Sequence, residues 1–457
     1  MKAEDRARYK VGFVSLGCPK NQTDTEVMLA SLAAAGYAIT PDETEADAVV
    51  INTCGFIESA KQESIDNILD IAWLKTNAKL KALIVAGCLA ERYRTQIRQE
   101  MPEVDAVIGK GSMHEVVEAV DRALCKEPYE SFGDKNAAPL GGDRILTQEP
   151  STVYLKIAEG CDNRCTYCAI PDICGHYRSR PMEELVKEAK DMESLGAKEL
   201  ILVAQDTTRY GEDLYGKRML PELLQKITAA TTIPWIRVYY CYPEAISDEL
   251  IAELRDNPRI VKYVDMPIQH ISDRILKRMN RRGGKASILS AITRLRAAMP
   301  DITLRTTLIC GFPGETEEDF EELCAFVRDT KFQRLGVFAY SREEDTPAYD
   351  FPDQIDEQVK QDRCDLLMQE QMEIHAAYNA EKLGKTLTVL CEGYDPVSEA
   401  FYGRSEADAP EIDGKIYFTA KKRKKAGMFV PVKIREVLDY DLIGEAEEPQ
   451  DADGGTV

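Results

Sequence analysis

Residues 160–168 read GCDNRCTYC, and this stretch decides how the rest of the chain is interpreted. It places Cys161, Cys165 and Cys168 at CxxxCxxC spacing, directly after the strand-like run of residues 153–157. Three thiols without a fourth ligand nearby predict a metal cluster with one open coordination position, because a structural zinc site has four protein ligands and is closed. The ferredoxin spacing, CxxCxxC with a further cysteine before proline, is different. We therefore expect an open iron at which chemistry can start.

The same loop resembles the signature of the radical S-adenosylmethionine (SAM) enzymes. In that superfamily three cysteines at this spacing hold a 4Fe-4S cluster, and SAM binds to its open iron. A zinc knuckle, or three cysteines placed by chance, is the competing interpretation. Tyr167 lies inside the loop, so we expect it beside the adenine of SAM, with packing in the core as the alternative role.

Length and composition indicate a globular protein of about two to four domains. The chain has 457 residues, of which 44% are hydrophobic and 30% charged, and its net charge is −21. No run approaches the roughly 18 apolar residues of a membrane span, and the amino end is charged rather than signal-like, so we expect a cytoplasmic protein without a membrane partner. Thirteen cysteines fit reduced thiols and metal ligands better than a disulfide framework. The negative charge disfavours a nucleic-acid partner without excluding one.

Two segments of the chain alternate strands with helices. Residues 9–125 do so in the pattern of a parallel α/β sheet, and residues 126–146, rich in Gly, Pro, Asp and Asn, are predicted to be a linker. Residues 147–377 hold six further strand candidates, which begin near residues 153, 199, 235, 261, 303 and 334. Six such units predict an incomplete (βα)6 barrel, in which ligands gather at the carboxyl ends of the strands.

The carboxyl-terminal part has a different period. A long helical stretch over residues 355–382 ends the barrel segment, and residues 379–445 then contain short β-prone runs separated by Gly and Asp turns. We predict a small all-β module there. Residues 446–457 are acidic and Gly-rich and are predicted to be a disordered tail. The predicted fold class is therefore α/β multidomain with an all-β end.

Three more cysteines occupy equivalent positions in the amino-terminal segment. Cys18, Cys54 and Cys88 each follow a predicted strand and have a glycine beside them. Because the carboxyl ends of parallel strands meet at one edge of a sheet, the three thiols could converge there. Chance placement is the alternative, since cysteine is common among small buried residues. We predict a second three-cysteine site with an open position.

Polar residues and a glycine follow several of the barrel strands. Gln205 and Asp206 follow the second strand, Gln269 follows the fourth, and Gly311 follows the fifth. Each one alone could equally be a helix cap or part of a turn. Together, at one barrel rim, they predict a cofactor pocket.

With both cysteine sets placed, the chain resembles the methylthiotransferase family from about residue 9 to residue 444. The motifs that carry the resemblance are EGCDNRCTYCAIP (159–171), QDTTRYG (205–211), DMPIQH (265–270), DRILKRMNR (273–281) and GFPGETEEDF (311–320). The resemblance implies a flavodoxin-like parallel-sheet domain, a radical SAM partial barrel and a carboxyl-terminal TRAM β-barrel. It also implies two 4Fe-4S clusters: the SAM-binding one on the CxxxCxxC loop and an auxiliary one on Cys18, Cys54 and Cys88.

Two branches of this family have different substrates. One modifies an adenosine base of tRNA, and the other modifies an aspartate of ribosomal protein S-twelve. The runs SLGCPKNQTD (15–24) and GRSEADAPEIDG (403–414) resemble the ribosomal-protein branch, whereas the tRNA branch more often shows a GCQMN-like run. The β module is also neutral, with equal numbers of basic and acidic residues, where an RNA-binding module should be basic. The run Lys421–Lys425 is an exception, either a solvated turn or a phosphate contact, and Cys174 stands where relatives often have arginine.

The resemblance to the ribosomal-protein branch implies addition of a methylthio group to the β-carbon of an aspartate of S-twelve, either free or in the small subunit. A tRNA adenosine methylthiotransferase is the nearest alternative, and a scaffold that only stores clusters is a more distant one. No side chain is basic enough to activate such a C–H bond, so we predict no catalytic residue, only residues such as Gln205 and Asp206 that position SAM. The expected partners besides S-twelve are a sulfur donor and an electron donor such as flavodoxin or ferredoxin.

Overall fold

Six parallel strands form the sheet of the amino-terminal part of the chain. In the computed structural model, which describes residues 1–447, they are β1 (Lys10–Ser15), β2 (Ala38–Ile39), β3 (Ala48–Thr53), β4 (Ala82–Gly87), β5 (Ala106–Ile108) and β6 (Tyr129–Ser131). Their order, β2-β1-β3-β4-β5-β6, is flavodoxin-like and confirms the predicted parallel sheet. Strand β6 lies inside residues 126–146, so part of the expected linker belongs to the sheet.

Helices cover both faces of this sheet. They are α1 (Ala3–Arg6), α2 (Pro19–Ala34), α3 (Glu58–Asn77), α4 (Cys88–Tyr93), α5 (Gln96–Glu100) and α6 (Val116–Leu124), with 3-10 turns at Glu43–Glu45 and Lys110–Glu115. Strands β3 and β4 are buried along their whole length, which explains why they read as continuous apolar runs. Met28 and Leu32 pack in the core on one face, and Ile68 packs in the core on the other.

The middle of the chain forms an incomplete barrel of six parallel strands, as predicted. In sheet order they are β14 (Arg334–Ala339), β13 (Thr303–Cys310), β12 (Ile260–Asp265), β11 (Trp235–Val238), β10 (Glu199–Val203) and β7 (Thr152–Lys156). Each begins within one residue of its predicted start. A two-stranded ribbon of β8 (Ala158–Glu159) and β9 (Arg178–Ser179) follows β7.

Helices flank the barrel strands. They are α7 (Ile170–Cys174), α8 (Met182–Ser194), α9 (Glu212–Tyr215), α10 (Leu220–Ala230), α11 (Asp248–Asp256), α12 (Asp273–Arg278), α13 (Gly284–Ala298), α14 (Glu317–Thr330) and α15 (Glu357–Ala380), with 3-10 turns at Thr207–Arg209, Pro243–Ala245 and Pro347–Asp350. Thr316 and Asp319 form a reciprocal capping box at the start of α14. None of the helices in residues 1–447 is long and apolar enough to span a bilayer.

The carboxyl-terminal part is a closed five-stranded β-barrel, which confirms the predicted all-β module. Its strands are β15 (Thr386–Asp395), β16 (Ala400–Arg404), β17 (Ile416–Thr419), β18 (Phe429–Leu438) and β19 (Asp441–Ala446), in the order β15-β16-β17-β19-β18. Alternate residues such as Val389, Phe418 and Val432 fill its interior. Of the predicted acidic tail, residues 446–457, only Ala446 and Glu447 fall within the described residues.

The small barrel covers the amino ends of the large barrel's strands. Arg404 donates a 2.7 Å hydrogen bond to Glu199, the first residue of β10. Arg237 donates to the other oxygen of the same carboxylate, also at 2.7 Å, and Glu199 and Arg237 are both fully buried. The rings of Trp235 and Phe429 meet edge to face, with centroids 4.8 Å apart. The carboxyl ends of the strands are thereby left as the end at which ligands can bind.

Candidate active site

The three amino-terminal cysteines lie on neighbouring loops at the carboxyl edge of the sheet. Cys18 follows β1, Cys54 follows β3, and Cys88 follows β4. A Cβ atom placed on Gly17 would lie 2.8 Å from the Cβ of Cys54, and one on Gly55 would lie 3.2 Å from the carbonyl carbon of Cys88. Glycine alone permits such an approach. The glycines beside the cysteines therefore let the three loops close on one another.

These thiols are close enough to influence one another's ionisation. Burial, followed by the charge of Cys88, raises the pKa of Cys54 to about 12. A hydrogen bond from Cys174 lowers the pKa of Cys88. Iron binds the thiolate, so an iron centre here has to displace protons from buried thiols, which makes loading dependent on pH.

The CxxxCxxC loop is held in place by backbone and side-chain contacts. The Cys161 amide donates to the Gly175 carbonyl at 3.0 Å. Asn163, inside the loop, donates to Asp206 at 3.2 Å, and both side chains are buried. Burial raises the pKa of Cys161 to about 11. The loop therefore holds its thiols in a rigid and mostly dry position.

Gly160, which opens this loop, has no room for a side chain. Its φ is +80°, and a Cβ atom there would lie 2.0 Å from the carbonyl oxygen of His176. We expect Gly160→Ala to displace the loop, to remove about half of the bound iron, and to lower SAM cleavage at least about 100-fold, because small displacements of reacting groups are costly. Iron analysis and the yield of 5′-deoxyadenosine measure both effects.

Gly216 provides the matched control for that substitution. Its φ is +70°, but no atom lies within 4 Å of the position of a Cβ. Gly216→Ala should therefore cost only about 1–2 kcal/mol of stability for the left-handed backbone and should leave iron content unchanged. If Gly160→Ala behaved like Gly216→Ala, steric packing of the loop would not be what holds the cysteines.

The two residues predicted at the end of the second barrel strand lie directly beside the cysteine loop. Gln205 donates to Glu159 at 2.7 Å, and its Oε1 atom is buried without a hydrogen-bond partner in residues 1–447. Asp206 is only 2% exposed and accepts hydrogen bonds from Asn163 and Thr208. Burial raises the pKa of Asp206. Gln205 is thus free to receive a donor, whereas Asp206 is engaged in holding the loop.

The other predicted cofactor residues lie around the same rim. Tyr167 packs in a core cluster and meets Phe312 edge to face, with ring centroids 6.5 Å apart. Gln269 adopts φ +71°, and its backbone pairs with β13. At Gly311, also at φ +71°, a Cβ would lie 2.3 Å from the Cγ of Lys360. The contacts of Tyr167 favour its packing role.

Arg281 is a residue at this rim that the sequence reasoning did not single out. It ends the run DRILKRMNR, and its guanidinium lies 4.3 Å from the centroid of the Tyr242 ring. Its Nη2 donates to the Pro267 carbonyl, but its Nη1 is buried without a hydrogen-bond partner in residues 1–447. Burial lowers the pKa of Arg281, but the charges of Tyr242, Tyr167 and Cys165 outweigh it, so that the pKa is raised. A cation with a buried and unused donor beside the cysteine loop fits an anionic cluster or a carboxylate ligand.

The two cysteine sets adjoin each other. Helix α7 begins two residues after Cys168 and ends at Cys174, which lies in the same cluster as Cys88. Ala169 and Ile173 of this segment pack with Cys88 in one apolar cluster. A single turn of helix therefore separates the two sites.

Charged side chains also join the amino-terminal domain to the large barrel. Lys110 lies 2.5 Å from Asp24 and 3.5 Å from Glu159, so it connects the two domains. Lys156 contacts both carboxylates, at 2.9 Å for Glu159. All four side chains are at most 12% exposed. This buried network fixes the amino-terminal domain, which carries one cysteine set, against the large barrel, which carries the other.

The donor set suits iron-sulfur clusters better than a single ion. No group of three or more Cys, His, Asp or Glu side chains in the described part of the chain is arranged around one metal ion. The cysteines of a 4Fe-4S cluster bind different irons, so they stand farther apart than the ligands of one ion. Three thiols at each site, together with the unused donor of Arg281, fit such a group.

Comparisons with known proteins agree with this architecture. Residues 155–327 match the radical SAM superfamily, residues 10–109 match the family described as Uncharacterized protein family UPF0004, and residues 383–446 match the TRAM domain. Curated proteins described as ribosomal protein uS12 methylthiotransferase RimO are similar over almost the full length. The one from Acetivibrio thermocellus is 50% identical, covering 96% of this chain and 98% of its own. The one from Lachnoclostridium phytofermentans is 52% identical, covering 96% and 100%.

Similarity to solved structures concerns the fold alone. The radical SAM methyltransferase TsrM from Kitasatospora setae, with cobalamin and a 4Fe-4S cluster bound, matches with a TM-score of 0.55. The alignment covers 74% of each chain at 13% identity. The chain therefore shares its fold with TsrM over about three quarters of its length.

Proposed function

We propose, because the chain belongs to the RimO family of ribosomal protein uS12 methylthiotransferases, that it adds a methylthio group to an aspartate of ribosomal protein S-twelve. It is a radical SAM enzyme, and its radical SAM domain requires a 4Fe-4S cluster and SAM. The observation that carries the proposal is the pairing of two three-cysteine sites across one turn of helix. A radical SAM enzyme that only cleaved SAM would need a single three-cysteine site.

Cys161, Cys165 and Cys168 hold the SAM-binding cluster in this proposal, and Cys18, Cys54 and Cys88 hold an auxiliary 4Fe-4S cluster. Bound at the two sites, the groups supply a 5′-deoxyadenosyl radical at one and an open coordination position for sulfur at the other. The protein positions them: Asn163 and Asp206 hold the first loop, and the glycines beside the cysteines bring the second set together.

Residues around the barrel rim orient SAM. The unpaired Oε1 of Gln205 can accept a hydrogen bond from its amino group, and the unpaired Nη1 of Arg281 can donate to its carboxylate. Gln269 and Gly311 bring backbone in a left-handed conformation to the same rim. Asp206 acts on SAM through the loop that it holds, and Tyr167 packs the loop against the core cluster that contains Phe312.

The remaining partners follow from the reaction. A sulfur donor and an electron donor such as flavodoxin or ferredoxin are needed, because reductive cleavage of SAM consumes an electron and each transferred sulfur has to be replaced. We place the enzyme in the cytoplasm, where ribosomal proteins are made. A net charge of −21 suits association with a highly basic ribosomal protein.

The mass of S-twelve tests this function directly. S-twelve isolated from cells that contain this protein should carry one methylthio group in place of one hydrogen on an aspartate, and S-twelve from cells lacking it should not. The 2-methylthio nucleosides of tRNA should be the same in both strains. An unchanged S-twelve together with altered tRNA would support the tRNA alternative instead.

A further inference from the structure

Lys20 occupies the place where the two domains meet between the cysteine sites. It lies two residues after Cys18, in the first turn of α2. Its Nζ atom lies 4.1 Å from the centroid of the Tyr240 ring, and Tyr240 lies two residues beyond the end of β11. The ammonium group of Lys20, which follows Cys18 in the amino-terminal domain, therefore contacts the ring of Tyr240 at the mouth of the large barrel.

This ammonium group has no anionic partner. Within residues 1–447, no carboxylate or other hydrogen-bond acceptor lies within bonding distance of the Lys20 Nζ, which contacts the ring of Tyr240. The titratable groups that face it are Cys18, Tyr240, Glu159 and Cys174. Glu159 is already bound by Lys156 at 2.9 Å and by Gln205 at 2.7 Å. Three N–H donors of Lys20 thus remain available for a ligand.

The backbone of Tyr240, whose ring lies beneath the ammonium group, is held in an unusual conformation. Tyr240 adopts φ +60°, an uncommon conformation for a residue with a bulky side chain. Its amide donates to Asp265 at 3.2 Å, and its carbonyl accepts from the Thr207 amide at 3.2 Å. Asp265 is in turn held by Arg305 at 2.8 Å. Strained backbone that is held on both sides is typical of functional positions.

We propose that the Lys20 Nζ binds the side-chain carboxylate of the aspartate that is to be modified. The inference rests on the proposed function, because it needs a substrate with a carboxylate next to the reacting carbon. The β-carbon of an aspartate is bonded directly to its carboxylate carbon, so one ion pair at the carboxylate fixes the position of the reacting atom. Lys20 lies beside the auxiliary site and faces the barrel mouth, which is where that atom has to be held.

Binding of two peptides tests the inference. One is the S-twelve segment that contains the target aspartate, and the other has asparagine at that position. With both clusters reconstituted, SAM present and no reductant, the wild type should bind the aspartate peptide about 10- to 100-fold more tightly, the effect of one charge-assisted hydrogen bond. Lys20→Met introduces the methionine that stands at this position in the GCQMN-like run of the tRNA branch. This variant should bind both peptides equally, whereas Lys20→Arg should retain the preference for the aspartate peptide.

Lys226→Met is the matched control, because Lys226 is exposed on α10, away from both cysteine sets. It should leave both dissociation constants unchanged. A Lys20→Met variant that still prefers the aspartate peptide, that weakens both peptides equally, or that loses iron would overturn the inference while leaving the proposed function intact. If the wild type bound neither peptide, the proposed function itself would fail, and this inference with it.

Discussion

Replacing Cys18, Cys54 and Cys88 together by alanine should abolish methylthio transfer and remove about half of the iron, while SAM is still cleaved to 5′-deoxyadenosine. The physical reason is that the three thiols lie on loops of the amino-terminal sheet, whereas the CxxxCxxC loop is held by contacts within the large barrel. Two clusters of four irons predict about eight irons per wild-type chain and about four in the variant. Iron analysis, product analysis and the yield of 5′-deoxyadenosine measure the three quantities.

The reciprocal variant and a control complete this experiment. Replacing Cys161, Cys165 and Cys168 by alanine should also leave about four irons per chain but should abolish SAM cleavage altogether. Cys125→Ala should change neither, because Cys125 is exposed at the end of α6 and belongs to neither set. Loss of SAM cleavage in the amino-terminal variant, or full iron content in either variant, would contradict the division of the six cysteines into two sites.

Glu199→Gln should destabilise the contact between the two barrels by about 3–5 kcal/mol, since it leaves the buried guanidinium of Arg237 without its counter-charge and leaves Arg404 paired with Glu392 alone. Glu199 is fully buried and lies 2.7 Å from Arg237 and 2.7 Å from Arg404. Guanidinium-induced unfolding, followed by tryptophan fluorescence, measures the loss. Trp235 lies at this contact against Phe429, and the other tryptophan, Trp73, can be replaced by phenylalanine.

Glu445→Gln is the matched control, with the same chemical change at an exposed ion pair. Glu445 lies 2.9 Å from Arg435, and the side chains of the pair are 59% and 52% exposed. Exposed pairs contribute at most about 1 kcal/mol, so the transition should barely move. Equal effects of the two substitutions would show that burial of Glu199 does not control the docking of the small barrel.

The large elements of the fold could be predicted from the sequence because their strands are buried on both faces. Such strands are short continuous apolar runs, and all six barrel strands begin within one residue of the predicted positions. Strand β6 was missed within residues 126–146 because Tyr129–Ser131 is a three-residue strand at the sheet edge without an apolar run. Short edge strands leave little periodicity in a sequence.

Only those residues of the site that follow a local sequence pattern could be predicted. The CxxxCxxC loop is local, and Cys18, Cys54 and Cys88 were found because each stands in the same place after a strand. The contact of Lys20 with Tyr240 joins two distant parts of the chain, and nothing in either local run indicates it. Arg281 stood in a motif, but only the structure shows that one of its nitrogens is buried and unpaired.

Docking of the small barrel at the amino ends of the strands has a consequence for the size of a partner. The loop that carries Lys421–Lys425 ends at Gly427, where a Cβ would lie 3.4 Å from Ser151 and 3.8 Å from Lys198, next to those amino ends. Six residues of β12 separate the two ends of the barrel by about 20 Å. A partner that touches the basic run and the cysteine sites together has to be wider than this. The large barrel therefore acts as a spacer between the basic run and the cysteine sites.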